Sequence, residues 1–585
     1  MTTARISLLG RSWLSWTAVL ATLAHPSVQQ RDPVKDFCRR FGHQTAVVDR
    51  KLYIDGGLVN WKSMDTDPGN DTNSWLVWHD LDNADLGMPQ IHANLSKNTS
   101  IPSVHGGALW ADDVNYRLFL FGGEFYSDNP TTSSMMSYDI WYDQWDDFGP
   151  PPAGIQRVSY GASTSVMERG EGYYYGGYLS NASMPDWNGR PRATSNLVRY
   201  KMDGNLWTKL AGPDDIRRAE GVMAFIPASD GGMLVYFGGV QDPYRNGTVI
   251  PQPMDQIFLY DIISNKWHVQ EASGTIPEHR RKFCAGAVWS KDRSSYNIYL
   301  NAGLGFGGSG FDDVYVLSLP SFTWIKIYPL DRNGTGKYPS HSLSCNIVNE
   351  GSQMLTIGGS FPNDNTCDYE QVWGVHNVDL GNRIKGNFQK VWAEYIPTLF
   401  GYKVPELVTS VIGGTKDGSA TKMTPDAGFA DHDIGILLGM KAPFPTRTRA
   451  NDGRTAPATA TVSKTPDSKS GPSGSAIIGI AVGGSVVLLA LLAGLWLLIR
   501  KQKRKSNAQP VAPTEPLVPT PHTPPFSPYH STQSPDSGQY MSPRTREGDG
   551  EVPVHNRDWR SSSANSPPSE MDGQDLRIAE LDAEN

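Results

Sequence analysis

Histidine, cysteine and paired carboxylates are the side chains of this sequence that could carry chemistry. Histidines at 43, 92, 105, 279, 341 and 376, beside 24 tyrosines, could ligate a metal or move a proton, but their spacing forms no ligand pair. His43, His105 and His341 fall at similar places at the start of successive strands, a regularity that a structural role explains. The four cysteines are Cys38, Cys284, Cys345 and Cys367. No C-x-x-C or histidine cluster accompanies them, which argues against zinc, and an oxidising compartment would let them pair. Four cysteines allow three pairings. Cys345 and Cys367 are near in sequence, so that pair is the expected one. Asp112–Asp113, Asp146–Asp147 and Asp312–Asp313 read as solvated turns rather than calcium ligands. The glycine-rich run GFGGSG (305–310) has no following helix and so lacks the setting of a phosphate loop. With no G-x-S-x-G elbow, H-E-x-x-H or phosphate loop, no catalytic, cofactor or metal residue is assigned.

Six N-x-[ST] acceptors, Asn70, Asn94, Asn98, Asn181, Asn246 and Asn333, could carry N-glycans. All precede a 24-residue uncharged apolar run at 476–499, which exceeds the ~20 residues needed to cross a bilayer. Arg500, Lys501, Lys503, Arg504 and Lys505 follow it and place that end in the cytoplasm. At the other terminus, Arg5 and Arg11 precede a short apolar run, Trp13–Ala24, as in a secretory signal peptide. The expectation is a single-pass type I membrane protein: signal peptide 1–24, extracytoplasmic domain 37–440, stalk 441–475, transmembrane helix 476–499 and cytoplasmic tail 500–585.

The chain has 585 residues and a net charge of −8, so it lacks the basic face of a general nucleic-acid binder. Abundant glycine (59) and proline (42) favour short strands and turns.

The elements that must position these residues repeat. A short hydrophobic run ends in a glycine pair at Gly56–Gly57, Gly122–Gly123, Gly176–Gly177, Gly238–Gly239 and Gly358–Gly359, with a degenerate copy, YNIYLNAG, ending at Gly303. Another short strand precedes each, for example YGASTSV, EGVMAF and SLSCNIV. Downstream come Tyr138/Trp145, Tyr200/Trp207, Tyr260/Trp267 and Leu317/Trp324, each seven residues apart. In the first unit Trp75 and Trp78 stand in for that pair. Each unit reads as a four-stranded antiparallel sheet, a to d, with the glycines ending strand b and the Trp opening strand d. One such sheet cannot bury both faces, and radial closure removes open edges, so the fold class is all-β, a propeller.

These units resemble kelch repeats over roughly 37–395, and the layout, including YKVPELVTSVIGGT (402–415), looks like that of fungal single-pass membrane kelch-repeat proteins. The resemblance implies a kelch-type β-propeller of six blades, or seven if 404–440 forms another. Loops a–b and c–d are short; several b–c loops are long, and b–c and d–a loops emerge on one face. Asn70, Asn181 and Asn246 fall in b–c loops, and Asn94, Asn98 and Asn333 in d–a loops, so all six are expected on that long-loop face. The face is a candidate for binding a protein or glycan ligand, and equally one that glycans shield. A second implication is a membrane-tethered oxidoreductase of the galactose-oxidase type, with a copper–radical site of His, Tyr and a Tyr-linked Cys. A third is an accessory membrane protein of a biosynthetic pathway.

Residues 446–475 are rich in Thr, Ser, Pro and Gly and are expected to form an extended stalk. The tail holds PLVPTPHTPPFSP and Ser/Thr-Pro steps at Thr520, Thr523, Ser527, Ser534, Ser542 and Ser566, suited to SH3 or WW domains and to kinases.

Overall fold

The computed structural model describes residues 31–131, 134–330, 338–381, 391–444 and 446–449. The signal-like segment 1–24, Asn333, most of the stalk, the apolar run 476–499 and the tail lie outside them. Among the described residues no helix is long and apolar enough to cross a membrane.

Each repeat forms one antiparallel sheet. The first sheet is Gln44–Val48, Lys51–Asp55, Leu76–Asp85 and Met88–His92; the second is His105–Asp112, Arg117–Glu124, Met136–Asp139 and Gln144–Asp147. The third is Ala162–Val166, Glu171–Tyr175, Leu197–Lys201 and Leu206–Leu210; the fourth is Val222–Ile226, Met233–Phe237, Gln256–Asp261 and Lys266–Glu271. The fifth is Cys284–Trp289, Tyr296–Gly305, Gly310–Leu319 and Thr323–Tyr328. The sixth has Ser344–Val348, Gln353–Ile357 and Val375–Asp379, with Trp392 bridging to Val378 at its outer edge. Strand a of each sheet touches strand a of the next, and that of the sixth touches that of the first. The sheets thus close into a propeller.

The repeat residues hold neighbouring sheets together. Tyr138, Tyr200, Tyr260 and Leu317 stand directly across from Trp145, Trp207, Trp267 and Trp324. In the first sheet Trp78 takes this place opposite His92, the rings stacked 4.3 Å apart. Apolar residues pack between adjacent sheets all round the ring; Leu52, Ile54 and Val77 meet Leu355, Ile357 and Val375 where the sixth meets the first. The second glycine of each pair donates its N–H to the next sheet: Gly57 to Val104 O, Gly123 to Val158 O, Gly177 to Arg218 O, Gly239 to Arg280 O, Gly303 to Ser340 O and Gly359 to Arg40 O, all at 2.8–3.0 Å. The first position cannot carry a side chain cheaply: a Cβ on Gly56 would lie 2.1 Å from Val104 O. In the degenerate fifth repeat this position is Ala302, which still adopts φ 63°.

Three expectations are corrected. The disulfides are Cys38–Cys367 and Cys284–Cys345, not Cys345–Cys367. Cys345 lies on the innermost strand of the sixth sheet beside strand a of the fifth, whereas Cys367 sits in a b–c loop that folds back on the N-terminal segment. Spatial neighbours in a ring come from adjacent repeats, so proximity along the chain misled. Segment 404–440 forms no further sheet; it contains α1 (Glu406–Ile412) and α2 (His432–Gly439). Proline 405 opens α1 and Asp431 caps α2 by accepting from the Asp433 N–H. Val408 and Ile412 of α1 pack on the fifth and sixth sheets, Ile434 and Leu438 of α2 on the fourth and fifth.

The third correction concerns the faces. Asn70, Asn181 and Asn246 do lie in b–c loops, but the connection that carries Asn94 and Asn98 is not confined to that face: Lys97 reaches Asp55 at the end of strand b at 2.6 Å, while the bonds of Ser96 lead elsewhere. Ser96 between them donates its N–H and hydroxyl to Asp143 in the c–d turn of the second sheet (2.7 and 2.8 Å), so this d–a connection runs beside the outer strand.

Residues 396–444 and 446–449 run as a strap across the short a–b and c–d turns. It meets Asn349 and Arg50 (Gly401 N–H to Asn349 O, 3.0 Å; Arg50 to Pro397 O, 3.2 Å), then Asp292 (Ser419 N–H, 2.7 Å) and Ser229 (N–H to Leu437 O, 2.8 Å). It ends with Arg447 on Asp112 and Asp203 (2.9 and 2.7 Å) and Arg449 over the Trp141 ring, 3.6 Å from its centroid.

Candidate binding site at the mouth of the central channel

A residue at the head of strand a has the same conformation in every sheet. Gly42, Gly106, Tyr160, Glu220, Lys282 and Ser342 have φ between 54° and 65°. Each donates its backbone N–H to the carbonyl of its counterpart in the preceding sheet, at 2.7–2.9 Å, and Gly42 donates to Ser342. Six left-handed residues therefore make one closed hydrogen-bonded ring about the axis. Glycine reaches this region freely, whereas Tyr160, Glu220, Lys282 and Ser342 each bear a strain of about 1–2 kcal/mol. The ring requires the backbone shape, so these four positions are free to vary in side chain, and three of them carry large polar groups.

Those groups and their neighbours line a cavity of about 200 Å³ at the end of the channel where strands b finish. Glu220 is 3.2 Å from Arg281 and 3.5 Å from Lys282, and its side chain is buried while the two cations are partly exposed. The Lys282 ammonium lies 4.5 Å from the Tyr160 ring centroid. The Tyr160 hydroxyl is 2.7 Å from His105 Nδ1, which is 3.7 Å from Glu124. Glu124 accepts from the Ser159 and Ser180 hydroxyls at 2.9 and 3.1 Å. Burial pulls His105 below its ordinary value despite Glu124, and burial with Lys282 and Arg281 pulls His341 down to about 4. Burial also raises the Tyr160 phenol. At neutral pH the mouth thus offers the neutral imidazole of His43, held at about 3 by burial, a neutral phenol backed by the neutral His105, and two cations shared by one buried carboxylate. Such a set suits hydrogen bonding and charge recognition of a ligand group.

The sequence-selected residues are distributed differently. His105 and His341 directly precede ring residues without lining the cavity, and His105 reaches it only through the Tyr160 hydroxyl. His43 follows the ring and is the histidine that lines the cavity, its Nε2 3.0 Å from the Ser344 hydroxyl. His376 pairs with Asp368 at 2.9 Å, and His92 stacks on Trp78. Among the described residues, Cys38, Cys367 and Glu370 come within metal-ligand distance of one another, but both sulfurs are spent in the disulfide. Arg281, Lys282, Glu220, Tyr160 and Glu124 were not singled out. The signal was present in the aligned heads of the strands: YGASTSV and EGVMAF begin with Tyr160 and Glu220.

Two comparisons bear on this geometry. Residues 42–294 match the family model described as the KLHDC2/KLHL20/DRC7 Kelch-repeats domain, a stretch that runs from the first ring residue into the fifth sheet. The chain is also 29% identical over 532 residues to a "Kelch repeat-containing protein" of Arthroderma benhamiae, with 80% of this chain and 75% of that protein covered.

Proposed function

We propose that this chain, a kelch-repeat protein, is a binding protein whose six-bladed propeller takes a projecting group of a protein partner into the mouth of its central channel. The observation that carries the reading is the size and lining of that mouth. About 200 Å³ lies below the ~300–1,000 Å³ of usual small-molecule sites, yet admits one side chain or chain end from a larger body. Arg281 and Lys282 share Glu220, so an incoming carboxylate can recruit one cation without leaving Glu220 unpaired. The strap occupies the short-turn side, and the long b–c loops frame the mouth as adaptable walls.

The same reading places the propeller outside the cytoplasm, anchored by 476–499. Two disulfides fit an oxidising compartment, and Asn94, Asn98 and Asn181 are exposed as glycan acceptors must be. The tail would then engage SH3, WW or kinase partners inside.

The binding reading is tested by selecting a random peptide library on the full chain and on a Lys282→Ala variant. Families enriched on the former and absent from the latter support it; identical families on both refute it. Protease added to intact cells tests the topology: digestion of the tail would reverse the orientation.

A further inference from the structure

A second concave site lies away from the mouth, where the b–c loops of the third and fourth sheets meet. Tyr178–Leu179 and Arg192–Ala193 pair as a short hairpin, which packs on Arg217–Ala219 and Val240–Asp242 of the next repeat. Between the loops opens a cleft of about 480 Å³, lined by Trp187, Arg190, Arg192, Arg245 and Asn246, with one carboxylate, Asp186, against the three guanidiniums. That volume lies within the range of small-ligand sites.

Its chemistry is unusual for a chain of net charge −8. Three exposed guanidiniums converge on it. Arg245 has only a long, exposed contact to Asp215 at 3.7 Å, which is weakly binding, and no carboxylate lies within ion-pair distance of Arg190 or Arg192 among the described residues. Trp187 is fixed: its indole N–H donates to Gly189 O at 3.0 Å and Arg190 O at 3.3 Å. Arg192 lies over that ring, 5.6 Å from the centroid. The site therefore presents a held aromatic plate, uncommitted planar cations and the carboxamides of Asn188 and Asn246.

We propose that this cleft binds an acidic saccharide. A uronate carboxylate takes the paired donors of Arg190 or Arg192, the apolar face of a pyranose lies on Trp187, and the carboxamides meet hydroxyls. An acidic peptide fits less well, because the cleft offers a flat indole rather than a side-chain pocket. The site is separate from the channel mouth and stands or falls without it.

Calorimetric titration of the full chain with trigalacturonate, neutral galactotriose and hexaglutamate tests the proposal. Trigalacturonate is expected to bind at least tenfold more tightly than galactotriose, and more weakly as salt rises. Arg190→Gln with Arg192→Gln is expected to weaken it at least tenfold, as is Trp187→Ala, while Lys282→Ala leaves it unchanged. Absence of trigalacturonate binding, equal binding of the neutral trimer, or full binding by the double arginine variant overturns the proposal. Hexaglutamate binding as tight as trigalacturonate with the same dependence on Trp187 also overturns it, in favour of a peptide site.

Discussion

The backbone N–H of Gly42 donates to the carbonyl of Ser342 at 2.7 Å, and this bond closes the ring between the first and sixth sheets. Gly359 repeats the connection farther out by donating to Arg40 O at 2.8 Å, and the Cys38–Cys367 disulfide covers the same seam. Closure brings together residues from the two ends of the propeller, where the entropy of the open chain is largest.

The two disulfides therefore differ in weight. Cys38–Cys367 spans 329 residues and Cys284–Cys345 spans 61. Loop-closure entropy makes the first worth about 1.5 kcal/mol more than the second, within a total of about 2–5 kcal/mol each. Denaturant melts of Cys38→Ser/Cys367→Ser and Cys284→Ser/Cys345→Ser are expected to show that order. Equal losses would mean that the seam is held by its apolar contacts instead.

The glycine pairs give a paired test. Gly56→Ala would drive a Cβ to 2.1 Å from Val104 O and is expected to cost about 1–3 kcal/mol. Ala302→Gly relieves an alanine at φ 63° and is expected to gain about 1 kcal/mol or less. The opposite signs should appear in urea midpoints measured side by side.

Acid should weaken the fold before its carboxylates titrate. Burial lowers His43 and His79 to about 3, so both are neutral when folded and protonate near 6.5 when unfolded. No cost exists above pH 6.5; below it the unfolded chain binds more protons and stability falls until about pH 3. Each histidine contributes up to about 2 kcal/mol of loss at pH 5. His376 opposes this trend, because Asp368 outweighs its burial and raises it, so its contribution is full below pH 6.5 and fades at higher pH. His105 and His341 are lowered as well, so four histidines against one predict a net loss between pH 6.5 and 5, and His79→Gln is expected to flatten the profile measured by denaturant titration.

The strap hangs on Arg447. Its guanidinium meets Asp112, which is fully buried, as well as Asp203 and Met167 O at 2.8 Å. Arg447→Ala leaves Asp112 with fewer donors and is expected to cost about 2–3 kcal/mol. Hydrogen exchange should rise at 441–449 and in the Met167–Arg169 turn, while the channel mouth remains protected. Exchange unchanged at 441–449 would show that α2 alone holds the strap.

Much of the framework was legible because it depends on local, repeated signals. Glycine pairs, strand spacing and the Tyr/Trp separation mark each sheet through residues that must turn or fill a fixed place. Even the imperfect copies could be placed, since Ala302 and Trp78 do the same physical work. What was hidden depends on contacts between repeats: the pairing of Cys284 with Cys345, the course of the 93–102 connection, and the path of the strap. The mouth escaped notice because its ring is defined by backbone conformation, which Gly42, Tyr160 and Lys282 share while their side chains have nothing in common.

The most direct measurement of the binding reading is the dissociation constant of one selected peptide, by fluorescence anisotropy, for the full chain and for Arg281→Ala, Lys282→Ala and Arg192→Gln. The account predicts at least a tenfold loss for each of the two mouth variants and none for Arg192→Gln. Affinity unchanged by the mouth variants, or lost only with Arg192→Gln, would contradict it.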